Sequence, residues 1–248
     1  MLDYQGNLYI WGDNSKGQLG LGHCRQTSRI TILDFLSNDS LQEIRAKGNN
    51  SLVVTQTGKV FAWPIQLTSG EKIYRPAELC LPPKITISTT ACGYNFAVLV
   101  AKNGLVFTFG RDNQFGQLGQ GDTEPRDTPT LVDTLKNENE IAVNVSCGFK
   151  HVICKTKLGR AYTWGWGGKG QLGHGDFENL SKPKMVNLNQ NGSKAKVLQA
   201  QAGFKHSVVI LDNKKLLWWG SNASLDCQPT PIEVNLHKKV ILEKIPII

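Results

Sequence analysis

No stretch of about eighteen apolar residues, the length that crosses a bilayer as a helix, occurs in this 248-residue sequence. No basic-then-apolar leader opens it either, so the chain is expected to be soluble and intracellular. Apolar residues at helical spacing never continue beyond about ten positions, short of the length at which helix outweighs strand. The expected fold class is therefore all-β. The six cysteines, Cys24, Cys80, Cys92, Cys147, Cys154 and Cys227, form no C-x-x-C pair, which argues against a zinc knuckle. They read as reduced thiols of an intracellular protein. No block of five like charges and no G-x-S-x-G nucleophile elbow occurs.

What the chain has instead is repetition. Gly-Gln-Leu-Gly occurs three times, at Gly17-Gln18-Leu19-Gly20, Gly116-Gln117-Leu118-Gly119 and Gly170-Gln171-Leu172-Gly173. Each follows an aromatic-Gly pair: Trp11-Gly12, Phe109-Gly110 and Trp164-Gly165. A second beat is kept by Gly48, Gly93, Gly148 and Gly203, each before a short apolar run and separated by 45, 55 and 55 residues. A period of about fifty marks stacked or radial copies of one supersecondary unit.

The unit is legible by aligning its last two copies, which share Gly-Phe-Lys-His at Gly148 to His151 and Gly203 to His206. A turn and an aromatic run follow, Arg160 to Trp164 and Lys215 to Trp219, rich in strand-favouring residues. Gly6, Gly58, Gly104 and Gly159 sit where a hairpin turn wants positive φ, and Asn213-Lys214 replaces them in the last copy, with Asn as the next best occupant. With an upstream apolar strand, each copy predicts a small antiparallel sheet of three to four strands. Such sheets repeated radially form a β-propeller.

The pattern Trp-Gly, Gly-Gln-Leu-Gly-x-Gly, then Cys-Gly or Ala-Gly-x-x-His resembles the repeat family named after the regulator of chromosome condensation, over Leu8 to Trp219. The resemblance implies a propeller that in the family usually has seven blades. About 4.5–5 are expected here, in repeats 1–40, 41–84, 85–140, 141–196 and 197–248 of one incomplete propeller domain, 1–248. The tail Val240 to Ile245 is expected to supply only a first strand of a further blade.

Two copies depart from the pattern. Trp63 is followed by Pro64 with no Gly-Gln-Leu-Gly before Gly93, and Trp219-Gly220 is followed by Ser221 to Leu225.

The residues that repeat read as architecture: Gly12, Gly17, Gln18, Gly20, Gly48, Gly93, Gly110, Gln117, Gly148, Gly165, Gln171 and Gly203. Gln18, Gln117 and Gln171 are expected to satisfy backbone groups of a neighbouring blade, and the following Leu to plug between sheets. His151 and His206 recur with the repeat, opposite Ser51 and Phe96 in other copies, so they read as structural imidazoles. A ring of metal ligands is excluded by those replacements. Cys92, Cys147 and Ala202 mark one slot for a small buried side chain. Gly165 to Gly170 satisfies G-x-G-x-x-G, but Gly170 stands where a phosphate loop needs Ser or Thr, and the phrase aligns with Gly12 to Gly17. No cofactor, metal or catalytic residue is assigned, and His23, His174 and His237 lack ligand-spaced partners.

The formal net charge is +8. Residues 1–124 hold eleven Lys or Arg against ten Asp or Glu, and 125–248 hold seventeen against ten. Scattered lysines are usually a solvated face, but an acidic partner would meet the second half. Lys150 and Lys205 occupy the same loop position in adjacent copies and should lie side by side. With Lys169 they are the candidate partner-binding residues.

A repeat scaffold without a catalytic constellation points to a non-enzymatic protein-interaction module, a subunit or adaptor of a larger assembly. The resemblance adds that family members act in cilia, centrosomes, trafficking and ubiquitin transfer. It also implies an alternative, guanine-nucleotide exchange on a Ran-type small GTPase, which in the family uses a protruding hairpin. No insertion of that length is evident, the longest inter-repeat stretches being Ile65 to Pro83 and Leu180 to Lys196. A third reading is chromatin or microtubule binding through the basic second half, with the nucleosome or tubulin as the acidic surface. The expected compartment is cytoplasmic or cytoskeletal, including the cilium, with the nucleus also open.

Overall fold

Runs such as Phe96–Ala101, in which all six residues are buried, become the middle strands of sheets covered on both faces. The computed structural model describes residues 1–36, 40–66, 69–188, 195–222 and 226–234. Antiparallel pairing there forms four four-stranded sheets. The first blade contains Leu41–Lys47, Asn50–Thr55, Val60–Trp63 and Ala77–Glu78. The second contains Ile87–Cys92, Phe96–Ala101, Val106–Gly110 and Arg126–Leu131. The third contains Ala142–Cys147, His151–Thr156, Ala161–Gly165 and Leu180–Met185, and the fourth Val197–Ala202, His206–Leu211, Leu216–Ser221 and Cys227–Glu233. Tyr9–Gly12 and Thr27–Ile32 make a two-stranded partial blade before them. The chain is thus an all-β propeller of four blades and a part. Its one α-helix among the described residues is Asp133–Asn137. No helix among them is long and apolar enough to cross a membrane. Val240 to Ile245 and His237 lie outside the described residues.

First strands of successive blades lie against one another, and an apolar cluster fills each junction. Val98, Val152 and Trp164 sit between the second and third blades, and Ile153, Val209 and Trp219 between the third and fourth. Burial of this kind is the main stabilising contribution, roughly 1.5–3 kcal/mol for each large side chain.

Each junction is also fastened by polar contacts, and here the expectation for the glutamines needs correction. Their side chains act inside their own loop: Gln117 Oε1 accepts from Phe115 N at 3.0 Å and Gln171 Oε1 from Lys169 N at 2.8 Å. It is the glutamine main-chain carbonyl that reaches the neighbouring blade. Gln18 O accepts from Trp63 Nε1 (2.9 Å), Gln117 O from Trp164 Nε1 (3.0 Å) and Gln171 O from Trp219 Nε1 (2.8 Å). The last glycine of each phrase lies on that indole, where a Cβ at Gly20, Gly119 or Gly173 would stand 2.7–2.9 Å from the indole nitrogen.

Register moves one repeat position. Cys92 pairs with Ala97, Cys147 with Val152 and Ala202 with Ser207, and their equivalent in the first blade is Ala46 paired with Ser51. Lys47, not Gly48, therefore stands where Gly93, Gly148 and Gly203 stand. Likewise Asn50, not Ser51, is the counterpart of Phe96, His151 and His206. The exchange is steric. A Cβ at Gly93, Gly148 or Gly203 would come within 1.9–2.2 Å of the Phe96, His151 or His206 ring, and the shorter Asn50 leaves room for a lysine. Lys47 Nζ then crosses to donate to the Cys147 carbonyl at 2.5 Å.

The last turn keeps its place and changes its occupant. In the fourth blade the positive φ falls on Lys214 (65°) rather than Asn213: Lys214 stands where Gly104 stands, its amide bonded to Leu211 O as that of Gly104 is to Ala101 O, while the Asn213 side chain accepts from Lys215 N at 3.1 Å as Asn103 does from Leu105 N. Within the stretch Ile65 to Pro83, Ile65–Gln66 pairs with Lys72–Ile73 as a short hairpin, an insertion the sequence pattern did not reveal.

Candidate interaction surface at one end of the propeller

The loops from first to second strand, at 93–95, 148–150 and 203–205, gather at one end of the described blades. Each needs glycine first, because the ring three residues later lies over it, and each presents an aromatic residue next: Tyr94, Phe149 and Phe204. Main-chain bonds join the loops, Tyr94 N to Phe149 O and Phe149 N to Phe204 O, both at 3.0 Å. The rings follow as a ladder, with centroids 4.9 Å apart for Tyr94 and Phe149 and 4.5 Å for the stacked pair Phe149 and Phe204. A second row comes from the loops after the third strands, where Phe115 and Trp166 are 6.0 Å apart.

The lysines stand between the rows. Lys150 Nζ is 4.9 Å from the Phe115 centroid and 5.4 Å from Phe149. Lys205 Nζ is 6.0 Å from Trp166 and 5.7 Å from Phe204. The structure thus places the two lysine loops in adjacent positions. Their electrostatics differ, because Asp112 Oδ2 lies 3.5 Å from Lys150 Nζ with both side chains largely buried. At the matching position of the next loop stands Trp166. Lys205 forms no ion pair with a carboxylate among the described residues. Lys169 lies in the same loop as Trp166, half-buried, its amide held by Gln171.

This arrangement can bind an anion or a flat group, and offers little for covalent chemistry. His151 is fully buried, its Nε2 3.0 Å from Ser207 Oγ of the next blade. Burial, with smaller effects of Lys47 and His206, pulls its imidazole down to about 3. Burial also lowers His206, and takes His174, which contacts Thr163 Oγ1 at 2.9 Å, down to about 4. Burial pushes the Cys92 thiol up to about 12 and raises Cys147 as well, which keeps both as un-ionised core groups. Gly165 to Gly170 links two strands rather than opening a helix, unlike a dinucleotide loop. No group of three or more His, Cys, Asp or Glu among the described residues could hold a metal.

Sequence reasoning named the lysines but missed the ladder. The available signal was an aromatic residue directly after the repeat glycine in three copies, with Phe115 and Trp166 at the second row.

The family model for the regulator of chromosome condensation (RCC1) repeat matches residues 5–37, 103–154 and 159–210, and a second model of that repeat matches 87–117 and 142–171. The secretion-regulating guanine nucleotide exchange factor of Bos taurus is 33% identical over 233 residues, 87% of this chain and 48% of that protein. The ultraviolet-B receptor UVR8 of Arabidopsis thaliana is 26% identical over 222 residues, 87% of this chain and 49% of that protein. Among solved structures, Prp20p from Saccharomyces cerevisiae superposes with a TM-score of 0.76 at 20% identity, covering 95% of this chain and 63% of that one, a likeness of fold. The chain spans about half the length of the curated relatives it matches.

Proposed function

Because this chain belongs to the regulator of chromosome condensation (RCC1) repeat family, we propose that it is a non-enzymatic interaction module, a subunit or adaptor of a larger assembly, that receives an acidic protein surface on its aromatic-lysine face. The observation that carries this reading is Lys205, a cation held between two aromatic rings without the carboxylate that neutralises Lys150. Lys169 adds a charge in the neighbouring loop that carries Trp166. Residues 1–248 act in this reading as one propeller domain. Cytoskeletal, ciliary and nuclear settings all offer acidic protein surfaces, tubulin and the nucleosome among them.

The test is fluorescence anisotropy of a labelled Glu-rich peptide titrated with the chain. Lys205→Glu is expected to weaken binding about tenfold, which is ~1.4 kcal/mol, with melting unchanged, and added salt should weaken the wild-type complex. Lys136→Glu, on the exposed side of the short helix, is the control. Equal losses from both variants, or none from Lys205→Glu, would count against this face.

A second reading, guanine-nucleotide exchange on a small GTPase, is favoured by the Ile65–Gln66 and Lys72–Ile73 hairpin, which is inserted between the third and fourth strands of the first blade. The name of the Bos taurus relative supports it. Accelerated release of labelled GDP from a purified small GTPase, lost when residues 65–73 are replaced by a short Gly-Ser linker, is the outcome this reading requires.

A further inference from the structure

Three of the four junctions between described blades are closed by the same device. The loop after one third strand buries its leucine, Leu19, Leu118 or Leu172, and its glutamine carbonyl accepts from the indole of the next blade, Trp63, Trp164 or Trp219. At two of these junctions a serine adds a second bond to that carbonyl, Ser51 Oγ to Gln18 O at 2.8 Å and Ser207 Oγ to Gln171 O at 2.9 Å. The junction between the first and second blades differs in every part. The first blade carries Pro64 and the hairpin in place of the loop, and Phe109, which has no N–H to donate, stands in the indole slot. Ala97 stands in the serine slot, paired with Phe109 as Ser51 is with Trp63 and Ser207 with Trp219. Loop, indole and hydroxyl are lost together.

The hairpin does not fill the space. An opening of about 50 Å³ remains between the two sheets, walled by Leu52, Ile65, Ala97 and Phe109. That is roughly the room of three or four waters, close to one isobutyl group, and far below the about 300–1,000 Å³ that a nucleotide or cofactor occupies. Arg111, Arg126 and Asp127 stand at its mouth. Arg126 is drawn to Asp122 at 2.6 Å, whereas Arg111 is exposed and its pair with Asp127 is 3.4 Å long, so Arg111 is the cation that can turn to a ligand. The mouth adjoins the aromatic-lysine face, because Asn95 O, next to Tyr94, accepts from Arg111 N at 3.0 Å and from Asp112 N at 3.3 Å, and Asp112 faces Lys150. We propose that this opening is an anchor pocket for one leucine-type side chain of the acidic partner, an inference that rests on the acidic-partner reading, with Arg111 meeting a carboxylate beside that leucine. The place that the chain fills with its own leucine at three junctions is left at the fourth for the partner's. Neither indole nor hydroxyl remains there to receive a loop carbonyl, so an apolar side chain is what the pocket suits.

The test is a set of labelled Glu-rich peptides with one leucine placed at each position in turn, titrated with the full chain by fluorescence anisotropy beside the same peptide with alanine. One leucine position is expected to bind about tenfold more tightly than its alanine counterpart, ~1.4 kcal/mol. Ala97→Val puts into the opening the side chain that Val152 supplies at the equivalent position of the third blade. It should erase that gain, with melting unchanged or raised, as filling a cavity does. Arg111→Glu, a change confined to the exposed mouth, should weaken the same leucine peptide. No gain at any position, or a gain that survives both variants, overturns the anchor pocket, while binding of the alanine peptide keeps the acidic-partner reading. Failure of every peptide to bind removes that reading and the pocket together.

Discussion

Phe96 lies on Gly93 so closely that a Cβ at that position would stand 1.9 Å from the ring. The ring is 1% exposed and has no room to withdraw. Gly93→Ala is therefore expected to destabilise the fold by about 1–3 kcal/mol, the usual cost of overpacking. Gly203→Ala should cost less, because the facing His206 is only half-buried and can turn away. The Lys47 and Asn50 pair predicts relief: His206→Asn should remove most of the Gly203→Ala cost. Urea unfolding of the two single variants and the double variant measures this coupling. Strict additivity would show that the ring contact is not what requires glycine.

Acid should act through His151. The imidazole is held down to about 3 by burial, against an unfolded value of about 6.5, so between these limits the unfolded chain binds a proton that the folded chain refuses. Stability then falls as pH drops from about 6.5 toward 3, by at most ~1.4 kcal/mol per pH unit from this residue. Lys47, His206 and the Ser207 hydroxyl face the ring, and the two cationic groups add to the same direction. His151→Phe places in the third blade the side chain that the second blade carries as Phe96. Thermal melting from pH 7 to pH 4.5 should show a shallower loss in this variant than in the wild type. Parallel curves would exclude His151 as the source.

The junction contacts predict an asymmetric exchange of aromatic residues. Trp219→Phe removes the donor to Gln171 O and some ring volume, and should cost about 1–3 kcal/mol, softened because Ser207 Oγ still donates to that carbonyl at 2.9 Å. Phe109→Trp should gain nothing, since the preceding loop has no Gly-Gln-Leu-Gly carbonyl to receive the indole. Denaturant midpoints of both variants check this. A stabilised Phe109→Trp would break the link between loop and indole.

The propeller was legible because its period is written in glycines that cannot be replaced: the phrase Gly-Gln-Leu-Gly is fixed by an indole from the next blade, and Gly-Phe-Lys-His by a ring on its own glycine. Register around Gly48 was not legible, because two compensating exchanges, Lys47 for glycine and Asn50 for an aromatic ring, leave a different glycine one place along. The glutamine carbonyls escaped for another reason. Main-chain acceptors have no sequence signal of their own, and the residue type reports only the loop that presents them. At the candidate site, spacing brought out Lys150 and Lys205, whereas their difference depends on Asp112 and Trp166 from other loops, which only folding brings beneath them.

That difference yields the sharpest prediction for the site. Asp112 is largely buried and its nearest cation is Lys150, so Lys150→Met leaves a desolvated carboxylate unpaired, a change that costs about 1–3 kcal/mol. Asp112→Asn in the same chain should restore most of that loss. Lys205→Met strands no carboxylate and should stay within about 0.5 kcal/mol of wild type, as surface substitutions do. Binding should follow the opposite order. Lys205→Met weakens the Glu-rich peptide, whereas Lys150→Met/Asp112→Asn, which removes one charge of each sign, leaves it nearly unchanged. Denaturation and anisotropy on the same three variants test both halves. If Lys150→Met/Asp112→Asn loses binding as fully as Lys205→Met, the contact is made by the aromatic ladder or by both lysines together, and Lys205 is not its distinguishing cation.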